Sequence, residues 1–198
     1  MKLKKLVAIT LSAVMCMAAL TGCGGKSDSA KKTAKVIEVD LTDEQYAFGV
    51  DKDQPDLLKE VNQFVKDMKS DGTFDEICNR YFGDGTPVPV KSAAYDESKD
   101  QLVVATNAAF EPFEYMDGEN YVGIDMEIAK ALADKLGKEL VIQNMDFDAV
   151  CLSVGQHKCD VAMAGLTIKP DREEYVAFSD PYYSASQKLI TLSTDTEF

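Results

Sequence analysis

Leu102-Val103-Val104-Ala105, leading into Thr106-Asn107, and Val161-Ala162-Met163-Ala164, leading into Gly165-Leu166-Thr167, are the two runs on which the fold turns. Each is an unbroken apolar stretch followed by polar or small residues, the pattern of a short strand covered on both faces. Between them, residues 125–136 place Ile124, Ile128, Leu132 and Leu136 in helical register and stop at Gly137. Leu140-Val141-Ile142 predicts another strand and residues 149–154 a short helix. Strands alternating with helices predict an α/β fold, a three-layer αβα sandwich around a parallel sheet. In such sheets ligands gather beyond the carboxyl ends of the strands, here at Asn107 and at Gly165-Leu166-Thr167.

Towards the N-terminus the same alternation continues. Val36-Ile37-Glu38-Val39 and Tyr46-Ala47-Phe48-Gly49-Val50 read as strands. Pro55 opens a helix with Leu57, Val61, Phe64, Val65 and Met68 on one face, and Gly72 closes it. A second helix over residues 74–82 groups Phe74, Ile77, Cys78, Tyr81 and Phe82. Residues 86–100, with Pro87 and Pro89 and no helical period, read as a linker or surface loop.

The first residues read as an address. Lys2, Lys4 and Lys5 precede an apolar run over residues 6–20 and then Leu20-Thr21-Gly22-Cys23. A basic start, a short apolar core and a small-residue cleavage site describe an export signal, and the run falls short of the about 20 residues of a membrane span. Residues 20–23 look like a bacterial lipobox, with residues 1–22 removed and Cys23 lipidated; a plain signal with an incidental cysteine is the alternative. Residues 23–35, rich in Gly, Ser, Ala and Lys, read as a flexible tether. The expected location is the cell surface, lipid-anchored to the outer face of the cytoplasmic membrane.

Composition narrows the chemistry. With 21 Lys plus Arg against 34 Asp plus Glu, a net charge of −13, the 198-residue chain is a poor partner for nucleic acid. One histidine, His157, argues against His-rich metal sites and most His-dependent catalysis, and reads as a solvated turn residue. No cofactor or metal is expected. In an exported chain Cys151 and Cys159 could form a disulfide; buried free thiols are the alternative.

At the strand ends, Gly165 allows close backbone approach, Thr167 offers a hydroxyl, and Arg172 offers a planar fork suited to a carboxylate. Read alone, Arg172 would pass for a surface ion pair with Asp171 or Glu173, and Phe110, Phe113 and Phe147 for core packing. In order, however, stand Ala105-Thr106-Asn107-Ala108-Ala109-Phe110-Glu111-Pro112-Phe113-Glu114-Tyr115, then Gly123-Ile124-Asp125-Met126-Glu127-Ile128-Ala129, Asp146-Phe147-Asp148, Ala164-Gly165-Leu166-Thr167-Ile168 with Arg172, and Phe178-Ser179-Asp180-Pro181-Tyr182-Tyr183. This series resembles the bacterial extracellular solute-binding proteins of family 3, the substrate-binding components of polar amino-acid ABC importers. The resemblance implies a periplasmic-binding-protein-like (type II) lobe; a few relatives with this fold carry out elimination on small carboxylates, but with no isolated acid–base pair beside Arg172 no enzymatic activity is expected. It further implies that Arg172 and Thr167 hold a ligand α-carboxylate and the Gly165 carbonyl its ammonium, while Phe110 and Phe147 flank its side chain and Asn107 contacts the polar end. The implied partners are a free amino acid, an ABC permease and, through the lipid, the membrane.

Residues 41–50, 66–77 and 80–83 resemble the return hinge strand and closing helices that usually end such proteins. Here they come first. The resemblance therefore implies a circularly permuted chain order: residues 36–85 the usual last portion of lobe one, residues 86–100 a linker, residues 101–183 its usual first portion, and residues 184–198 the start of a second lobe that is otherwise nearly missing. A lobe alone implies weak ligand binding, with a non-binding interaction module as the alternative.

Overall fold

The structure, a computed structural model, describes residues 33–193. The expected export signal, Cys23 and most of the tether lie outside the described residues. Residues Val36–Ile190 form one compact unit.

In chain order β1 (Thr33–Ile37), β2 (Glu44–Tyr46) and β3 (Gly49–Asp51) come first. The single strand expected over residues 46–50 is thus two. The break falls at Ala47-Phe48, where the Ala47 N–H donates to the Leu166 carbonyl and the Phe48 N–H to Ser179 Oγ, each at 3.0 Å. Helix α1 (Pro55–Ser70) starts on its proline, whose missing N–H costs nothing in a first turn, and buries Val61, Phe64, Val65 and Met68. Helix α2 (Thr73–Phe82) follows Gly72, which takes the positive φ of +88° that favours glycine. Ile77 is buried; Phe82, expected on the same face, is exposed and stacks on Tyr183 with ring centroids 6.1 Å apart. Residues 86–100 contain no helix, yet they are tied down. Val90 is buried and exchanges both backbone hydrogen bonds with Tyr121, and Ser92 Oγ accepts from the Ile142 N–H.

The remaining elements are β4 (Gln101–Thr106), a small antiparallel sheet of β5 (Ala109–Phe110), β6 (Glu114–Asp117) and β7 (Asn120–Val122), then α3 (Ile124–Leu136), β8 (Glu139–Asn144), α4 (Phe147–Gly155), β9 (Val161–Ala162), α5 (Pro170–Glu173), β10 (Val176–Phe178), β11 (Tyr183–Ala185) and β12 (Leu189–Ser193). Strand β2 pairs with β11, and β1 pairs with β12. Leu189 and Ile190 are exposed.

The central sheet runs in the order β10-β3-β9-β4-β8. β8, β4 and β9 are parallel, as expected, but β3 runs antiparallel between β9 and β10, so the sheet is mixed. Alternation along β4 sends Leu102 and Val104 to one face and Val103 and Ala105 to the other. The first face packs with α1, α2 and α3 through Val61, Phe64, Met68, Ile77, Ile128 and Leu132. The second packs with α4 through Val150, Cys151 and Val154. Three αβα layers result, with the expected architecture.

Candidate functional site

Because β4 and β9 are parallel neighbours, with Ala105 opposite Ala162, their carboxyl ends emerge side by side. The chain beyond β9 is pinned to β2. The Ile168 N–H donates to the Gln45 carbonyl, and Thr167 faces Tyr46 across an antiparallel bridge. That register leaves the Thr167 N–H with no acceptor, and the Gly165 carbonyl with no donor, among the described residues. Gly165 holds φ at +52°, and a Cβ there would stand 2.9 Å from Phe110 Cε1, so only glycine lets the Phe110 ring lie against this turn. Phe110 is itself exposed and stacks on buried Phe113 at 5.5 Å.

Arg172 sits in the single turn of α5. Its Nη1 donates to the Thr167 carbonyl at 2.8 Å, and its guanidinium carbon lies 5.1 Å from the centre of the Phe147 ring, at the start of α4. Arg172 makes no ion pair within the described residues, with Asp171 and Glu173 included. Stacking and one carbonyl fix the fork while the rest of its N–H groups stay available, the state in which Arg recognises a carboxylate. Phe147, Arg172, Cys151, Leu166 and Tyr175 line a cavity of about 310 Å³ beside this group.

Two of the expected residues also make contacts within the fold. Asn107 donates one side-chain N–H to the Met145 carbonyl, at 2.7 Å, and so ties the end of β4 to the end of β8. Thr167 spends its hydroxyl proton on Glu44 Oε2, at 2.9 Å. Nothing in the sequence around Glu44 marks it as a site residue, because it sits 123 positions earlier in the chain and only the β2 register brings it here. Its carboxylate also accepts from Thr42 and Gln187, at 3.0 and 2.7 Å. The hydrogen bond from Thr167, ahead of those from Gln187 and Thr42 and the charge of Lys169, holds its pKa below the usual glutamate value, against the opposing effect of burial.

A second unanticipated group lies beneath the turn. Asp125, wholly buried, accepts from the Gly165 N–H at 2.9 Å and from the Tyr182 hydroxyl at 2.5 Å. Glu114, equally buried, hydrogen-bonds Asp125 and leaves its Oε2 without a partner. Burial first, then the Asp125 charge, pushes Glu114 up to about 11, whereas Asp125, raised by burial but held down by its donors, stays at about 6. At neutral pH the pair shares one proton, carried by Glu114. The ionised Asp125 then anchors the Gly165 backbone.

Elsewhere, a larger cavity of about 500 Å³ lies between α2, α3 and residues 88–91. Its arginine, Arg80, is already paired with Glu127 and Glu76 and its Lys130 with Asp134, which leaves Lys91, a point charge without the planar fork of Arg172, as its cation outside an ion pair among the described residues. His157, at a positive φ of 58°, is more than a solvated turn residue. Its Nδ1 pairs with buried Asp51 at 2.7 Å and its Nε2 lies 3.6 Å from Asp53. These three are the group with metal-ligand spacing among the described residues, and the Asp51 carboxylate is already committed to His157 and the Asp53 N–H. The possible Cys151–Cys159 disulfide is not formed: both thiols are free, buried among Val103, Val141 and Val154, and Cys159 leans on Gln143 Oε1 at 3.5 Å. No helix among the described residues is long and apolar enough to cross a membrane.

Comparison with known proteins settles the kinship. The sequence profile of the bacterial extracellular solute-binding proteins, family 3, matches residues 8–84 and 102–198. The chain belongs to this family. It is 40% identical over 96 residues to the arginine-binding extracellular protein ArtP of Bacillus subtilis (strain 168), a stretch that takes up 48% of this chain and only 38% of ArtP. It is 33% identical over 95 residues to the cyclohexadienyl dehydratase of Pseudomonas aeruginosa, covering 48% of this chain and 35% of that enzyme. Among solved structures, the arginine-bound form of domain 1 from TmArgBP is 40% identical, over 50% of this chain and 86% of that one, with a TM-score of 0.42.

Proposed function

We propose that this family 3 chain captures a free polar amino acid for an ABC importer, using the strand-end site around Thr167. The observation that carries the reading is Arg172, a cation with no counter-ion among the described residues, held between the Thr167 carbonyl and the Phe147 ring. In the proposed pose the α-carboxylate takes the remaining N–H groups of Arg172 together with the vacant Thr167 N–H. The Gly165 carbonyl accepts from the α-ammonium, and the ligand side chain lies between Phe110 and Phe147. Asn107 holds the floor through Met145 with one N–H and offers its second N–H to the polar end of the ligand. Relatives named for arginine make arginine the first ligand to try.

The chain order supports a permuted lobe. Strand β3, from the first third of the chain, fills the antiparallel position between β9 and β10, and the family profile matches in two stretches that leave out residues 85–101. Attachment through Cys23 and partnership with a permease complete the reading. Binding without turnover is favoured because the one strongly shifted acid pair, Glu114 with Asp125, is sealed in the core and cannot touch a ligand. A charge-assisted hydrogen bond contributes about 1.5–3 kcal/mol when enclosed and an exposed ion pair about 0–1. With Phe110 and Phe147 both exposed, weak binding is expected.

The test is the thermal shift of the chain against each of the twenty amino acids at millimolar concentration, since a ligand of the native state adds RT ln(1 + [L]/Kd) to stability. A shift with one chemical class, lost in Arg172→Ala, is expected. A cooperative melt that no amino acid moves would contradict binding and leave a module that meets only other proteins.

A further inference from the structure

Thr167 stands between two opposite charges that do not pair with each other. Its carbonyl takes Arg172 and its hydroxyl gives to Glu44. Neither Arg172 nor Glu44 has an ion-pair partner within the described residues, although Lys169 is close enough to favour the Glu44 anion. We propose that Glu44 is the ammonium-recognising carboxylate of the site, so that Arg172 and Glu44 together read the zwitterion of an α-amino acid across Thr167; this rests on the binding role proposed above.

The donor inventory points the same way. A threonine hydroxyl has one proton, and here it goes to Glu44, so towards a ligand the oxygen can only accept. The Gly165 carbonyl likewise only accepts, whereas the Thr167 N–H and Arg172 only donate. The turn thus offers acceptors, the Gly165 carbonyl, Thr167 Oγ1 and Glu44, for a cationic group, and donors, the Thr167 N–H and Arg172, for an anionic one. Glu44 is prepared for this part. Thr42, Gln187 and Thr167 hold its carboxylate in place with three hydrogen bonds. A carboxylate has about four acceptor sites, which leaves room for one more donor. Such preorganisation lowers the ordering cost of binding.

The experiment compares two ligands on two proteins by calorimetric titration. The ligands are the amino acid that shifts the wild type most, L-arginine being tried first, and its Nα-acetyl derivative, which keeps the carboxylate and lacks the ammonium. Glu44→Gln keeps an acceptor for Thr167 and removes the charge. It is expected to weaken the free amino acid about five-fold, the scale of a partly exposed charge interaction, and to leave the acetylated ligand unchanged. Thr167→Val, which removes the hydroxyl that holds Glu44, should narrow the same preference while still folding if Glu44→Gln does not. Equal weakening of both ligands, or of neither, overturns the assignment of Glu44. A wild type that binds neither ligand contradicts the binding role itself.

Discussion

Replacing Glu114 with Gln asks where the proton of the buried acid pair resides. The two carboxyl groups lie under the Gly165 turn with almost no exposure, and burial is the first cause that lifts both. With Glu114 at about 11 and Asp125 at about 6, the neutral partner at pH 7 is Glu114. Gln has the shape of a protonated Glu and still donates to Asp125, so the substitution should cost no more than about 1 kcal/mol, the net worth of one hydrogen bond. The sign of the pH effect follows from the raised value. Above about pH 4.5 the unfolded chain releases a proton that the folded chain retains, so the wild type loses stability as pH rises, by about 1.4 kcal/mol per unit for this one proton. Gln has no such proton to retain. Above pH 7, where Asp125 is mostly ionised, the unfolding free energy of Glu114→Gln should therefore rise with pH relative to wild type, by about 1 kcal/mol per unit. Contributions from His157 cancel in the difference. Urea denaturation followed by far-ultraviolet circular dichroism at several pH values measures it. Equal pH slopes in the two proteins, or a loss above about 3 kcal/mol at every pH, would refute the assignment of the proton.

Other consequences are simpler. Gly165→Ala forces a Cβ into the Phe110 ring at a positive φ, and should destabilise the chain by about 1 kcal/mol and weaken ligand binding, read by melting and titration. The Asp51 carboxylate raises the pKa of His157, so their pairing adds stability below the unfolded value of about 6.5 and loses it as pH rises through the higher folded value; in His157→Gln that part of the pH profile should vanish. Because Cys151 and Cys159 are free thiols, a reductant should leave the melting temperature unchanged; a fall would reveal a disulfide, whose loss costs about 2–4 kcal/mol.

What could be read in the sequence was local. The spacing of Val61, Phe64, Val65 and Met68 and the glycines at 72 and 137 mark helices through contacts a few residues apart, and those helices are present. The sequence pattern points to Arg172 and Phe147, and the structure brings them together. What stayed hidden depends on pairing at long range. The antiparallel course of β3 is set by neighbours β9 and β10, more than 100 positions later, and residues 46–50 give no sign of the break that Leu166 and Ser179 impose. Glu44 reads as one acid among many until β2 carries it to Thr167. Glu114 and Asp125 read as ordinary polar residues of a turn and a helix start, and only their burial reveals the shared proton. Cys151 and Cys159, close in sequence, lie in one apolar cluster yet remain free thiols, which sequence distance cannot foresee.

The most direct test of the strand-end site is a nuclear magnetic resonance titration of the ¹⁵N-labelled chain with polar amino acids, L-arginine first. Saturable shifts at the amides of Phe147, Gly165 and Thr167 and at the Arg172 Nε–H, with Val88 and Lys91 at the larger cavity unmoved, are the predicted result. Shifts centred on that larger cavity, or none at any concentration, would contradict it.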